Sequence, residues 1–173
     1  MPVHFGKYAN KINYRNHRKI IVIDGMVGFT GGINVSDKYL KNGDPLDDWR
    51  DTHLRIEGNA ASSLQMVFLS DWYFVSGEYL FQKEDFFPID IKGGVPIQIV
   101  TSGPDSNYSN IKQEYFSLIT NAEQYIYIWT PYFVPGENIM FSLKTAALSG
   151  VDVRIILPDD SDSFLIRKYI YNI

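Results

Sequence analysis

An α/β fold is predicted for this 173-residue chain, a mixed sheet flanked by helices, and three observations predict it. Short β-branched runs broken by glycine and aspartate fill the stretch before residue 57. Apolar residues then recur at helical spacing from Asn59 to about Phe74. After Gly93 and Gly94 the pattern becomes an alternation of strand and helix, the signature of a parallel or mixed sheet covered by helices.

Taken in order, residues 19–23 form an apolar run that ends at Asp24 and Gly25, and residues 27–29 resume it before Gly31 and Gly32. This reads as two strands joined by a tight turn. Asn42, Gly43, Asp44, Pro45 and Asp47 give residues 41–48 a loop composition, with a strand expected over 50–56. Leu64, Val67, Phe68, Leu69 and Trp72 mark the buried side of the next helix, and Trp49 and Trp72 are expected in the core. The second half predicts strands at 96–101, 125–130 and 151–157, with helices at 111–121 and 137–148 between them. A seam is expected near 84–95. Residues 163–173 begin a further helical pattern that meets no cap and no partner strand, so the chain is expected to be part of something longer.

Composition narrows the function. With 45% hydrophobic residues the chain can bury a substantial core. Sixteen basic against twenty acidic residues leave a net charge of −4, so the electrostatic footprint of a general nucleic-acid binder is missing and no nucleic-acid partner is expected. A local basic pocket around a single phosphate remains compatible with that balance. There is no cysteine, hence no disulfide framework and no thiolate metal site. No apolar run reaches the roughly 18 to 20 residues needed to cross a bilayer, and the first residues lack a signal-peptide layout.

The chemistry concentrates in His17-x-Lys19, Asp24 after four further residues, and then Gly31, Gly32 and Asn34. On an extended strand alternate side chains share a face, so His17 and Lys19 point together and Asp24 points the other way. An imidazole can attack phosphorus and form a phosphohistidine, while an ammonium beside it neutralises charge growing on the non-bridging oxygens. Asn34 offers an amide donor to the same oxygens. Gly31 and Gly32, without Cβ atoms, let backbone approach a phosphate closely. The triplet alone arises by chance in roughly one such chain in a hundred, and Asp24-Gly25 by itself is a hairpin turn. The weight of the reading therefore rests on the whole set.

These residues, Asn16 to Gly25, then Gly31 to Asn34 and Asp37 to Leu40, resemble the first HKD motif of bacterial cardiolipin synthases of the phospholipase D superfamily. Further matches are Trp49 to His53; Leu64 and Gln65 with Phe68, Asp71 and Trp72; Thr130 to Pro135; and Gly150 to Arg154. The resemblance implies a phospholipase D-like fold, an incomplete pair of similar domains. In it residues 1–88 are the C-terminal half of the first domain and residues 95–173 the N-terminal half of the second. It also implies phosphatidyl transfer between two phosphatidylglycerol molecules without metal or other cofactor, at the cytoplasmic face of a bacterial membrane. A second HKD motif from elsewhere would be required, because no other His-x-Lys occurs here.

Asp51 is the candidate for the carboxylate that orients His17, as the family carries an acidic residue on a strand after the motif; because Asp51 shares a strand face with His53 and Arg55, a plain salt bridge to one of these neighbours is the competing reading. His53 either lines the site or is a hydrogen-bonded structural histidine. Tyr132 and Phe133 follow an apolar strand, where α/β sheets bind ligands, and are candidates for substrate contact or simply for a packed turn. Two other functions stay open: a phosphodiesterase or nuclease with water as acceptor, and a catalytically incomplete lipid-binding fragment.

Overall fold

A computed structural model describes residues 16–36, 51–87, 94–103 and 106–157. The expected loop at 41–48, Trp49, Asp37 to Leu40 and the final helical pattern at 163–173 lie outside the described residues. The chain divides into two compact units after Thr101.

In the first unit, β1 (Ile20–Ile23), β2 (Val27–Gly31) and β3 (His53–Glu57) form an antiparallel sheet in that order. The turn between β1 and β2 spans Asp24, Gly25 and Met26, and its first two residues have positive φ values of 53° and 64°, a region that glycine adopts freely and aspartate more readily than most residues. Met26 N–H closes it on the Ile23 carbonyl at 3.1 Å. The helix α1 (Asn59–Ser76) packs on one face of this sheet, burying Ala61, Leu64, Gln65 and Leu69. A Cβ on Gly28 would come within 2.7 Å of Leu64 Cδ1, so the absence of a side chain there lets helix and strand close up. Register places Ile20, Val22, Gly28 and Ile56 on the helix side. Ile21 and Ile23, on the other side, are exposed.

The helical period over 59–74 is matched by α1, but its outer positions correct one expectation. Phe68 and Trp72 are not core: they are 41% and 43% exposed, stacked on each other with centroids 6.1 Å apart. They border a groove beside Ile20 of β1 instead of closing against the sheet.

In the second unit, α2 (Asn110–Thr120) precedes a β-α-β crossover of β4 (Tyr125–Trp129), α3 (Gly136–Leu148) and β5 (Asp152–Ile156), with the two strands parallel. Ile119, Phe133, Leu143, Ala146 and Val151 make its core, against which Ile126, Ile128, Val153 and Ile155 pack from the inner face of the strands. Alternation leaves Tyr125, Tyr127, Trp129 and Ile156 exposed on the outer face. The strand expected at 96–101 is not formed. Among the described residues no strand pairs with it, and an extended run becomes a strand only through its ladder bonds. No helix among the described residues is long and apolar enough to cross a membrane.

Candidate active site

The segment leading into β1 alternates as its sequence dictates. Its even side chains turn to α1: Asn16 and Arg18 reach Asp71, and with Ile20, Phe68, Trp72 and Val75 they line a groove of about 280 Å³. Its odd side chains meet each other. The Lys19 ammonium lies 2.9 Å from both ring nitrogens of His17 and donates to the His17 carbonyl at the same distance. Whichever ring nitrogen carries the lone pair can accept from that ammonium. His17 is exposed and Lys19 half-buried, so the pair is held at a surface that a large phosphodiester can approach.

Gly31 is paired with His53 on β3, and Lys19 stands one residue before the first pair of β1, Ile20 with Thr30. The glycine is needed: a Cβ on Gly31 would lie 2.5 Å from the Thr52 carbonyl and 2.7 Å from His53 Nδ1. Gly32 is similarly constrained. Its N–H donates to the Thr52 carbonyl at 3.1 Å, and a Cβ there would sit 2.8 Å from Asp51 Cγ. Both glycines therefore make room for the strand that carries Asp51 and His53.

Asp51 is half-buried and its Oδ1 accepts the Thr52 N–H at 2.7 Å. Arg55, its alternative partner, pairs with Glu57 instead. His53 is half-buried, and its Nδ1 is enclosed without a hydrogen-bond partner among the described residues. Asn34 is exposed two residues past Gly32. Asp24 stands apart, at the hairpin tip, with the four residues of β1, roughly 13 Å of strand, between it and Lys19. Its backbone, with a φ of 53°, forms part of the turn.

In the second unit Phe133 is taken up by the core at 9% exposure, while Tyr132 beside it is 48% exposed. Between the two, Tyr132 is the side chain open to a ligand. A further polar cluster lies on the outer strand face. The Tyr127 hydroxyl donates to Asp152 at 2.8 Å, and Arg154 bonds the same carboxylate at 3.0 Å. Arg154, followed by Tyr127, holds the Asp152 carboxyl below the usual carboxylate range. The hydrogen bond to Asp152 raises the Tyr127 hydroxyl above its ordinary value.

Sequence reading missed one participant in the site's geometry. Asp71 appears in the motif matches with no role attached, and nothing in the spacing from Asn16 to Asp71 signals their hydrogen bond.

Comparison with known proteins gives the site a context. Residues 115–172 match a family model described as cardiolipin synthase, PLD-like domain. The chain is 48% identical over 167 residues to a cardiolipin synthase of Geobacillus thermodenitrificans, covering 95% of this chain and 33% of that protein. It is 45% identical over 165 residues to a probable cardiolipin synthase of Bacillus subtilis, again covering 95% and 33%. A cardiolipin synthase of Oceanobacillus iheyensis is 49% identical over 152 residues, 88% of this chain and 32% of the relative. No solved structure matches. The chain is thus similar to bacterial cardiolipin synthases, in residues 115–172 to their PLD-like domain, and it spans about a third of the length of those it matches.

Proposed function

We propose that this chain carries the nucleophile of a cardiolipin synthase, which transfers a phosphatidyl group from one phosphatidylglycerol to another and releases glycerol. The observation that carries the reading is the His17–Lys19 pair, an imidazole and an ammonium in contact on one side of a segment whose other side is anchored. It is supported by the names and the identity of the relatives.

His17 attacks the phosphorus of the first phosphatidylglycerol, and glycerol departs as its alkoxide oxygen takes a proton. The hydroxyl of a second phosphatidylglycerol then attacks the phosphohistidine and frees the imidazole. Lys19 exchanges the ring nitrogens for the non-bridging oxygens as charge grows on them, a move that its flexible stem permits. Asn34 donates to the same oxygens, and Gly31 and Gly32 let the phosphate lie close to backbone. Asp51 orients His17 by accepting from its ring N–H, as the carboxylate of a Ser-His-Asp triad does. His53, at the head of β3 beside Gly31, contacts the glycerol portion. The proton for the leaving glycerol comes from a second histidine of a second HKD motif, on another part of the protein or on a second copy. The substrate lies at the cytoplasmic face of the bacterial membrane. As a monomer, with one His-x-Lys motif, this chain alone makes no cardiolipin.

Thin-layer analysis of phosphatidylglycerol turnover by the complete gene product tests the reading. Cardiolipin is the expected product. Phosphatidic acid would identify a hydrolase with water as acceptor, and no turnover would leave a lipid-binding role.

A further inference from the structure

Residues 16–19 precede the first ladder pair, Ile20 with Thr30, so strand pairing does not hold the stretch that carries His17 and Lys19. The Asp71 carboxylate on α1 ties it down from the side. Asp71 accepts from Asn16 Nδ2 at 2.7 Å and from one Arg18 guanidinium nitrogen at 2.8 and 3.0 Å. Asn16 Oδ1 in turn accepts the Arg18 N–H at 3.0 Å, which locks the backbone between the two anchored side chains. The anchor is itself rigid, because α1 is seated on the sheet by Leu64 and Leu69, 2% and 1% exposed.

We infer that Asp71 is a positioning residue for the transfer reaction. By fixing Asn16 and Arg18 against α1 it fixes the alternate side chains of the same extended segment, His17 and Lys19, toward the opposite side. Asp71 touches no reacting atom and acts only through the backbone it immobilises. An arginine bonded through charge to a carboxylate constrains direction as well as distance, and here it does so one residue after the nucleophile, while the Asn16 amide bonds the same carboxylate one residue before it. The inference rests on the reading of His17 as that nucleophile.

The experiment uses the complete gene product and its Asp71→Asn and Asp71→Ala variants, the first keeping the side-chain shape in case the second folds poorly. Two readouts are taken: kcat and KM for phosphatidylglycerol in mixed micelles, and the rate at which diethyl pyrocarbonate modifies His17 and His53, read by mass spectrometry. The expected result is a kcat lower by about 10- to 100-fold, the scale of a displaced catalytic group, with KM within about twofold. His17 modification rises by about twofold or more while His53 stays level, because the loosening is local. Arg18→Ala should lose a similar factor, the double variant Arg18→Ala with Asp71→Ala should lose no more than the worse single, and Asp71→Glu should recover part of kcat. Unchanged His17 modification overturns the inference whatever the turnover, as does unchanged kcat in a folded variant, or equal acceleration at His17 and His53. If the wild type transfers no phosphatidyl group while His17 modification still rises selectively in Asp71→Asn, the transfer reading falls and the anchoring of His17 stands.

Discussion

Two aspartates, one in each unit, hold an arginine, and they do different things. Asp71 bonds Arg18 across 53 residues of sequence and ties a helix to a segment outside the strand ladder. Asp152 bonds Arg154 two residues away on its own strand and Tyr127 on the adjacent one, inside a ladder that the backbone already maintains. The same chemical pair is structural information in the first unit and surface trim in the second. What separates them is whether anything else fixes the backbone at that point. The first unit anchors the stretch that holds the His17–Lys19 pair through a side-chain contact, whereas the second is held by an apolar core of Ile119, Phe133, Leu143, Ala146 and Val151.

The largest effect that sharpens this contrast comes from the nucleophile. His17→Ala should lower phosphatidyl transfer in the complete gene product by about four orders of magnitude or more, as removal of a covalent nucleophile does, with an unchanged circular dichroism spectrum. A variant with a tenth of wild-type activity would move the nucleophile elsewhere. Asp51→Asn should leave a weak residual rate, lower by about 10³- to 10⁴-fold, since it disturbs the orientation of a ring and not the attacking atom. Full activity would show that Asp51 is not the orienting carboxylate. Gly31→Ala should destabilise the first unit by about 1–3 kcal/mol, the cost of forcing a methyl group into an occupied space, because that Cβ meets backbone, the Thr52 carbonyl at 2.5 Å and His53 Cα at 2.7 Å. Chemical denaturation followed by the tryptophan signal checks it, and an unaltered midpoint would mean that the strand yields freely.

The smallest effect belongs to Asp152. Its carboxyl is held below the ordinary range, first by Arg154 and then by Tyr127, so its folded pKa lies under its unfolded one. Its contribution is present above about pH 4 and is lost as the pH falls through the folded value. The group is solvent-exposed, so the contribution is slight. Asp152→Asn should flatten the melting temperature against pH only below about pH 4. A large loss at neutral pH would make this cluster as important as the Asp71 anchor and would break the comparison.

Much of this was legible in the sequence, for reasons that local physics supplies. The hairpin follows from Asp24-Gly25 between β-branched runs, and the parallel pair of β4 and β5 from strand-helix-strand alternation. The shared side of His17 and Lys19 follows from period-two alternation. Three features were not legible. Phe68 and Trp72 fit the apolar period of α1, but only the fold shows that they border a groove beside Ile20 of β1. Residues 96–101 have strand composition, and pairing depends on a neighbour that composition cannot specify. The bond from Asp71 to Asn16 and Arg18 is a contact between distant elements, invisible to any local pattern.

The central claim is that His17 takes the phosphatidyl group covalently. Incubating the complete gene product with phosphatidylglycerol, quenching in alkali where phosphoramidates survive, and mapping the adduct by tandem mass spectrometry tests it most directly. The account predicts a phosphatidyl or phosphate adduct on the His17 ring, absent in His17→Ala. Cardiolipin formed with an unmodified His17 and an adduct on any other residue would contradict it.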